Sequence, residues 1–249
     1  MRRALATVLV LALSLTAGPA NAVRVEGETI ILPVIGRFPG DGGTQWRTDV
    51  FIVNPYGDPT TVTLKFYDGG TLREFTSALA PYNSLSLPDV VLNTFGRTNG
   101  GGPLEIASTT RIEARARIYN TGNPAGQFGQ SVLGIAKDRL GRQASLYGLS
   151  GNGSRVNVGV MNPNDHTVTV SMVIQDRNNA SLAGESFELA PHTYRQFGNI
   201  FTLYSIPVQD GVRVQFNEFD DPIYGYASEV RNDTGDAVFT FGTAPNTGP

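Results

Sequence analysis

Cysteine is missing from all 249 residues, histidine occurs twice and tryptophan once. Without cysteine there is no disulfide framework, no thiol nucleophile and no thiolate metal centre. Two histidines fall short of the ligand set that a zinc site requires, so no metal or other cofactor is expected. Charge is scarce as well: 16% of residues are charged, the formal balance is −3, and lysine stands only at Lys65 and Lys137. Such a chain has no polybasic patch for nucleic acid or an anionic membrane, and neither is expected as a partner. Long apolar runs are confined to the N-terminus, which excludes a polytopic helical membrane protein. Punctuation, by contrast, is plentiful. There are 29 glycines and 15 prolines beside 40% hydrophobic residues, a mixture that rules out a helix bundle and still supplies a packed core.

Met1-Arg2-Arg3, the apolar run Ala4 to Ala17 and the small-x-small triplet Ala20-Asn21-Ala22 have the order of a secretory signal peptide over residues 1–22. The run is shorter than the ~20 residues a spanning helix needs. Cleavage would leave a chain starting at Val23 with 17 basic and 22 acidic residues. The expectation is a secreted or periplasmic protein, without membrane insertion after cleavage, held together by its hydrophobic core alone.

The chain also repeats itself. Arg47-Thr48-Asp49-Val50-Phe51-Ile52-Val53-Asn54-Pro55 aligns with Arg155-Val156-Asn157-Val158-Gly159-Val160-Met161-Asn162-Pro163 at an offset of 108. Leu79-Ala80-Pro81 answers Leu189-Ala190-Pro191 at 110, Ile118-Tyr119-Asn120 answers Val230-Arg231-Asn232 at 112, and Phe128-Gly129 answers Phe241-Gly242 at 113. Units of this size are domains, not solenoid repeats. The expected organisation is one copy over 23–136 and a second over 137–249, each able to fold alone.

Within each copy the apolar period is two. Val62, Leu64 and Phe66 alternate with Thr61, Thr63 and Lys65; Val168, Val170, Met172 and Ile174 do the same in the second copy. Ile112 to Ile118 alternates with Glu113, Arg115 and Arg117 outward, a pattern that suits a protected sheet edge. One polar face per strand and short turn-bounded strands predict an all-β fold of two tandem antiparallel sandwiches. Pro88 to Phe95 and Gly198 to Leu203 depart from the pattern and predict one helical turn per copy, plugging an end of the sandwich.

The runs Leu32-Pro33-Val34, Gly43-Thr44-Gln45-Trp46-Arg47-Thr48-Asp49, Asn54-Pro55, Tyr119-Asn120 and Gly126-Gln127-Phe128-Gly129-Gln130 resemble those of poorly characterised bacterial exported proteins with tandem immunoglobulin-like β-sandwich modules. The resemblance implies the immunoglobulin-like fold and export, with no agreed activity. The second copy departs from it, with Ser154-Arg155-Val156-Asn157 in place of Trp46-Arg47-Thr48-Asp49.

Sites are few. His166 and His192 read as loop residues with no nucleophile motif nearby, and Gly148-Leu149-Ser150-Gly151 lacks the spacing of a nucleophile elbow. Asn217, Glu218, Asp220 and Asp221 are the best candidate for the oxygen ligands calcium takes, but the cluster lacks the DxDxDG order and Asp220-Asp221-Pro222 reads first as a solvated hairpin turn. Gly100-Gly101-Gly102 and Gly151-Asn152-Gly153 read as hairpin turns, not phosphate loops. Trp46, Arg47 and Asp49 form the candidate binding patch: an aromatic beside an arginine and a carboxylate, against the plainer alternatives of a sheet ion pair and a core cap. The expected function is therefore a non-enzymatic module presenting edges and loops to a protein or glycan. The alternative is a periplasmic assembly chaperone with two immunoglobulin-like domains, which would need a long apolar edge strand to donate.

Overall fold

The structure, a computed structural model, describes residues 26–40, 43–122 and 126–243. The leader expected over residues 1–22 lies outside the described residues. Among those described, no helix is long and apolar enough to cross a membrane. The fold is all-β and antiparallel, as the alternation required.

The first half runs β1 (Gly27–Pro39), β2 (Gln45–Val53), β3 (Thr60–Asp68), β4 (Thr71–Leu79), β5 (Ser84–Leu87), α1 (Val90–Asn93), β6 (Gly100–Asn120), β7 (Phe128–Leu133) and β8 (Ile135–Ala136). A 3₁₀ turn at Lys137–Arg139 leads to β9 (Gln143–Leu149), β10 (Ser154–Met161), β11 (Val168–Gln175), β12 (Ser181–Leu189), β13 (Tyr194–Phe197), α2 (Ile200–Leu203), β14 (Val212–Asn217), β15 (Tyr224–Arg231) and β16 (Ala237–Phe241).

The same strand order occurs twice. β12-β11-β14-β9 forms one sheet of the second half (sheet C) and β13-β10-β15-β16 the other (sheet D). In the first half β4-β3-β6-β1 and β5-β2-β6-β7 are the matching layers, A and B, joined because the 21-residue β6 passes from one into the other. Its first part pairs with β1 and β3, and residues 113–120 pair with β2 and β7. In the second half the equivalent path is broken by the turn between β14 and β15, so the two sheets separate.

Alternation explains the packing. Val62, Leu64 and Phe66 of layer A and Val50 and Ile52 of layer B are all fully buried in one apolar cluster. Val170, Ile174, Val214 and Phe216 meet Val156, Val158 and Ala227 in a second. The helical turns sit where expected and plug these cores, α1 with Val90 and Val91, α2 with Ile200 and Phe201. Gly69 and Gly70 join β3 to β4, and both have positive φ, 58° and 87°, as the tightest hairpin turn twisting with its strands demands.

Three expectations are corrected. Gly100-Gly101-Gly102 is not a turn but the start of β6, paired with Arg37, Gly36 and Ile35. A Cβ on Gly102 would lie 2.0 Å from the Tyr67 carbonyl oxygen, so glycine there admits a close backbone approach. Next, the strand bearing Glu113, Arg115 and Arg117 is no edge; β2 and β7 flank it on both sides. Third, the copies align differently here: Arg47 faces Tyr119 while Arg155 faces Val230, so Val230, not Arg231, occupies the place of Tyr119. The Phe-Gly echo dissolves likewise, since Phe128 opens β7 opposite Asn120 whereas Phe241 closes β16 opposite Tyr226.

The two halves also meet each other. Met161, Tyr224 and Tyr226 of the second half, all within 1% of complete burial, belong to the apolar cluster of the first half. The Tyr224 hydroxyl donates to the Leu133 carbonyl at 2.8 Å, and Ser228 donates to the Gln130 side chain at 2.8 Å, both on β7. On the outward side of layer A the His192 imidazole stacks on Tyr67, with ring centroids 4.2 Å apart. Sheet D is thus covered on both faces, and the halves share a core.

Candidate functional site

The outer face of layer B collects the charged and aromatic residues that the repeat singles out. Thr48, Val50 and Ile52 of β2 point inward and are buried, so the pleat sends Arg47, Asp49, Phe51 and Val53 to the other side. Tyr119, Arg117, Arg115 and Glu113 of β6 stand opposite them in that order. The exposed Arg115 guanidinium lies 5.3 Å from the Phe51 ring centroid, and that of Arg117 lies 4.6 Å from the Tyr119 ring. These are cation–π distances.

Trp46 does not join Arg47 and Asp49. It has the inward parity of β2, packs partly buried against the core, and pairs with Phe38 across the strand. A Cβ on Gly40 would fall 2.6 Å from its Nε1, so the chain passes close beneath the indole. The geometry is that of a cap on one end of the layered core.

Arg47 and Asp49 instead enter a network that reaches α1. Asp89, at the start of that turn, has a left-handed φ of 41°, and its backbone N–H donates to Asp49 Oδ1 at 2.8 Å. The Tyr119 hydroxyl donates to the same oxygen at 3.1 Å. The Asp89 carboxylate pairs with Arg37 and lies 3.7 Å from Arg47 Nε. Burial, then the neighbouring charge of Asp49, raises the Tyr119 phenol above its ordinary range and keeps it a donor. The second copy keeps only the latch: Asn157 Oδ1 accepts from the Asn199 N–H at 3.0 Å. The repeated Asp/Asn therefore anchors the helical turn in both copies.

Asp49→Ala should cost about 1–3 kcal/mol, because it strands the Asp89 N–H and the Tyr119 hydroxyl. Asp49→Asn, which copies the second half, should recover most of that loss. Urea unfolding of the two variants decides; equal stabilities would show that the latch carries nothing.

The other repeated motif is also architectural. Asn54 and Asn162 are fully buried. Asn54 Nδ2 donates to the carbonyls of Asp58 and Ala80, and Asn162 Nδ2 to those of His166, Leu189 and Ala190. Each ties two loops together, which accounts for both the Asn-Pro and the Leu-Ala-Pro echo.

Both histidines face aspartates, His166 with Asp221 at 2.9 Å and His192 with Asp165 at 2.8 Å. Hydrogen bonding to His192 holds the Asp165 carboxyl below its usual range. At the same junction Lys65 and Lys137 flank the buried Glu105 at 3.3 and 3.4 Å. Burial, followed by the charges of Glu105, Asp165 and Glu74, pushes the Tyr67 phenol up to about 12. Of these groups, Tyr67 and His192 meet across the seam between the halves, their rings stacked.

Glu218 accepts the backbone N–H groups of Asp220 and Asp221, forming a turn, while Asn217 bonds Gln143 and Gln215. No group of three or more His, Asp or Glu residues among those described is arranged to hold a metal ion. A cleft of about 500 Å³ opens between Glu28, Arg111, Lys137 and Asp138, with charges of both signs on its walls.

No family model matches the sequence, and no curated protein matches it. Among solved structures, the Thermotoga maritima 1070 protein is 17% identical over 41% of this chain and 92% of its own, with a TM-score of 0.35. A Bacteroides uniformis β-glucuronidase is 11% identical over 81% of this chain, with a TM-score of 0.18. A Parabacteroides merdae β-glucuronidase is 12% identical over 86% of it, also at 0.18. The chain spans about a quarter of the length of these two enzymes, 26% in each case.

Proposed function

We propose that this chain is an exported, non-enzymatic binding module of two tandem immunoglobulin-like β-sandwiches, akin to the bacterial exported proteins its motifs resemble, and that it presents the outer face of layer B to a protein or glycan. One observation carries the reading. The equivalent face in the second half, on sheet D, is closed by Met161, Tyr224 and Tyr226 against the first half, whereas layer B bears Val53, Glu113 and Arg115 at those places. A position built for docking in one copy is open and cationic-aromatic in the other. Arginine and aromatic side chains dominate recognition surfaces, and two arginines over two rings suit an acidic partner. The signal-peptide pattern over residues 1–22 favours export.

The test is retention of residues 23–249 on immobilised heparin, a sulfated glycan, at graded salt. Wild type should bind and elute as salt rises, and Arg115→Glu with Arg117→Glu should abolish retention while the melt shifts little, as surface changes do. Equal retention of the double variant, or none of the wild type, counts against this surface.

A further inference from the structure

The outer face of sheet C carries a second constellation. Its inner side is filled by Leu146, Val212, Val214 and Phe216, so the pleat turns Gln143, Ser145 and Tyr147 of β9 and Arg213, Gln215 and Asn217 of β14 outward. Register sets Asn217 opposite Gln143 and Gln215 opposite Ser145. The pairing then jumps from Val214–Leu146 to Val212–Leu149, so that Tyr147 and Gly148 together oppose Arg213. Gly148 takes a φ of 72° at this bulge, and Tyr147 lands on the outer face with its ring 5.0 Å from the Arg213 guanidinium.

The side chains form a ladder. Arg213 Nη2 donates to Gln215 Oε1 at 2.6 Å, Gln215 Nε2 to Asn217 Oδ1 at 2.7 Å, and Gln143 Nε2 to the same oxygen. Those bonds fix four planar groups and leave capacity unused. Ser145 is 2% exposed, and its hydroxyl has no partner; Arg213 Nε has none either. None of the ion pairs among the described residues involves Arg213. Tyr147 stands 56% exposed, with one ring face toward Arg213.

We propose that this face is a platform for an extended, neutral, hydroxyl-rich polysaccharide, distinct from the layer B surface. A sugar ring lies on the open face of Tyr147. Its hydroxyls, each both donor and acceptor, meet fixed amides and a guanidinium that offer both kinds of group. Grid spacing suits such a chain, with neighbouring strands ~4.8 Å apart and outward residues of one strand ~6.8 Å apart. The alternatives fit less well. Tyr147 and Val173 are too little apolar surface for a protein hot spot. A single arginine on an acidic chain cannot hold a phosphate backbone.

Affinity electrophoresis of residues 23–249 through gels containing soluble neutral polysaccharides (xylan, galactomannan or mixed-linkage β-glucan), with polygalacturonate as the charged comparison, tests this. At least one neutral polymer should retard wild type, and Tyr147→Ala should weaken that retardation tenfold or more. Gln215→Ala, which keeps the ring but breaks the ladder, should weaken it several-fold. Arg115→Glu with Arg117→Glu should leave it unchanged, which separates this site from layer B. The proposal is overturned if no neutral polymer retards the protein, if only polygalacturonate does, if Tyr147→Ala migrates as wild type, or if the layer B variant abolishes the effect.

Discussion

Residues 140–249 expressed without the first half are expected to self-associate, and not to melt as a monomeric unit. Severing the chain would bare Met161, Tyr224 and Tyr226, now buried in the first half's cluster, together with Tyr194, Phe239 and Phe241 at its margin. Each aromatic buries on the order of 150–250 Å², so the exposed patch would exceed the few hundred Å² that soluble monomers tolerate. The hydroxyls of Tyr224 and Ser228 would lose their partners on β7 as well. Sedimentation of the fragment, alone and mixed with residues 23–136, is the measurement. A monomeric fragment with a cooperative melt would show that the shared core contributes little.

The second large effect concerns Gly159. It lies opposite Tyr226 on sheet D, and a Cβ there would sit 2.3 Å from the tyrosine ring. The first copy carries Phe51 at this place, facing Arg115. Gly159→Phe therefore writes the first copy's residue into the second and should drive Tyr226 out of the seam. The expected loss is about 3–5 kcal/mol, the range for forfeiting a buried aromatic. Phe51→Gly in the open copy should cost far less, since no neighbouring ring depends on the gap. Thermal melts of both variants decide; similar losses would mean that the seam does not distinguish the copies.

Much of the architecture was legible in the residues. The alternation of β3 and β11, the helical turns and the duplication all follow from local patterns with fixed periods. Other features depend on distance in space. The turn composition of Gly100-Gly101-Gly102 hides the start of β6, whereas the reason for glycine there is the Tyr67 backbone across the sheet. The network of Arg37, Asp49, Asp89 and Tyr119 joins four separated segments, and only pairing brings them together. Trp46 and Arg47, adjacent in sequence, point opposite ways, as neighbours in any strand must. The shared core did leave a trace: Glu113-Ala114-Arg115-Ala116-Arg117 becomes Tyr224-Gly225-Tyr226-Ala227-Ser228, a strand that lost its charge because it lost its water.

The way the copies meet bears on polymerisation. Sheet D of one copy docks on the β7 and layer A side of the other, so the contact joins unlike surfaces, and nothing in its symmetry closes it. Head-to-tail contacts of this kind can propagate into filaments when both free ends keep the matching surface. Here neither end does. The equivalent of sheet D at one terminus carries Glu113, Arg115 and Arg117, and the equivalent of layer A at the other carries the amide ladder of Gln143, Gln215 and Asn217. Polar terminal faces keep such arrays finite. Neither outer face repeats the apolar surface that the two halves bury between them.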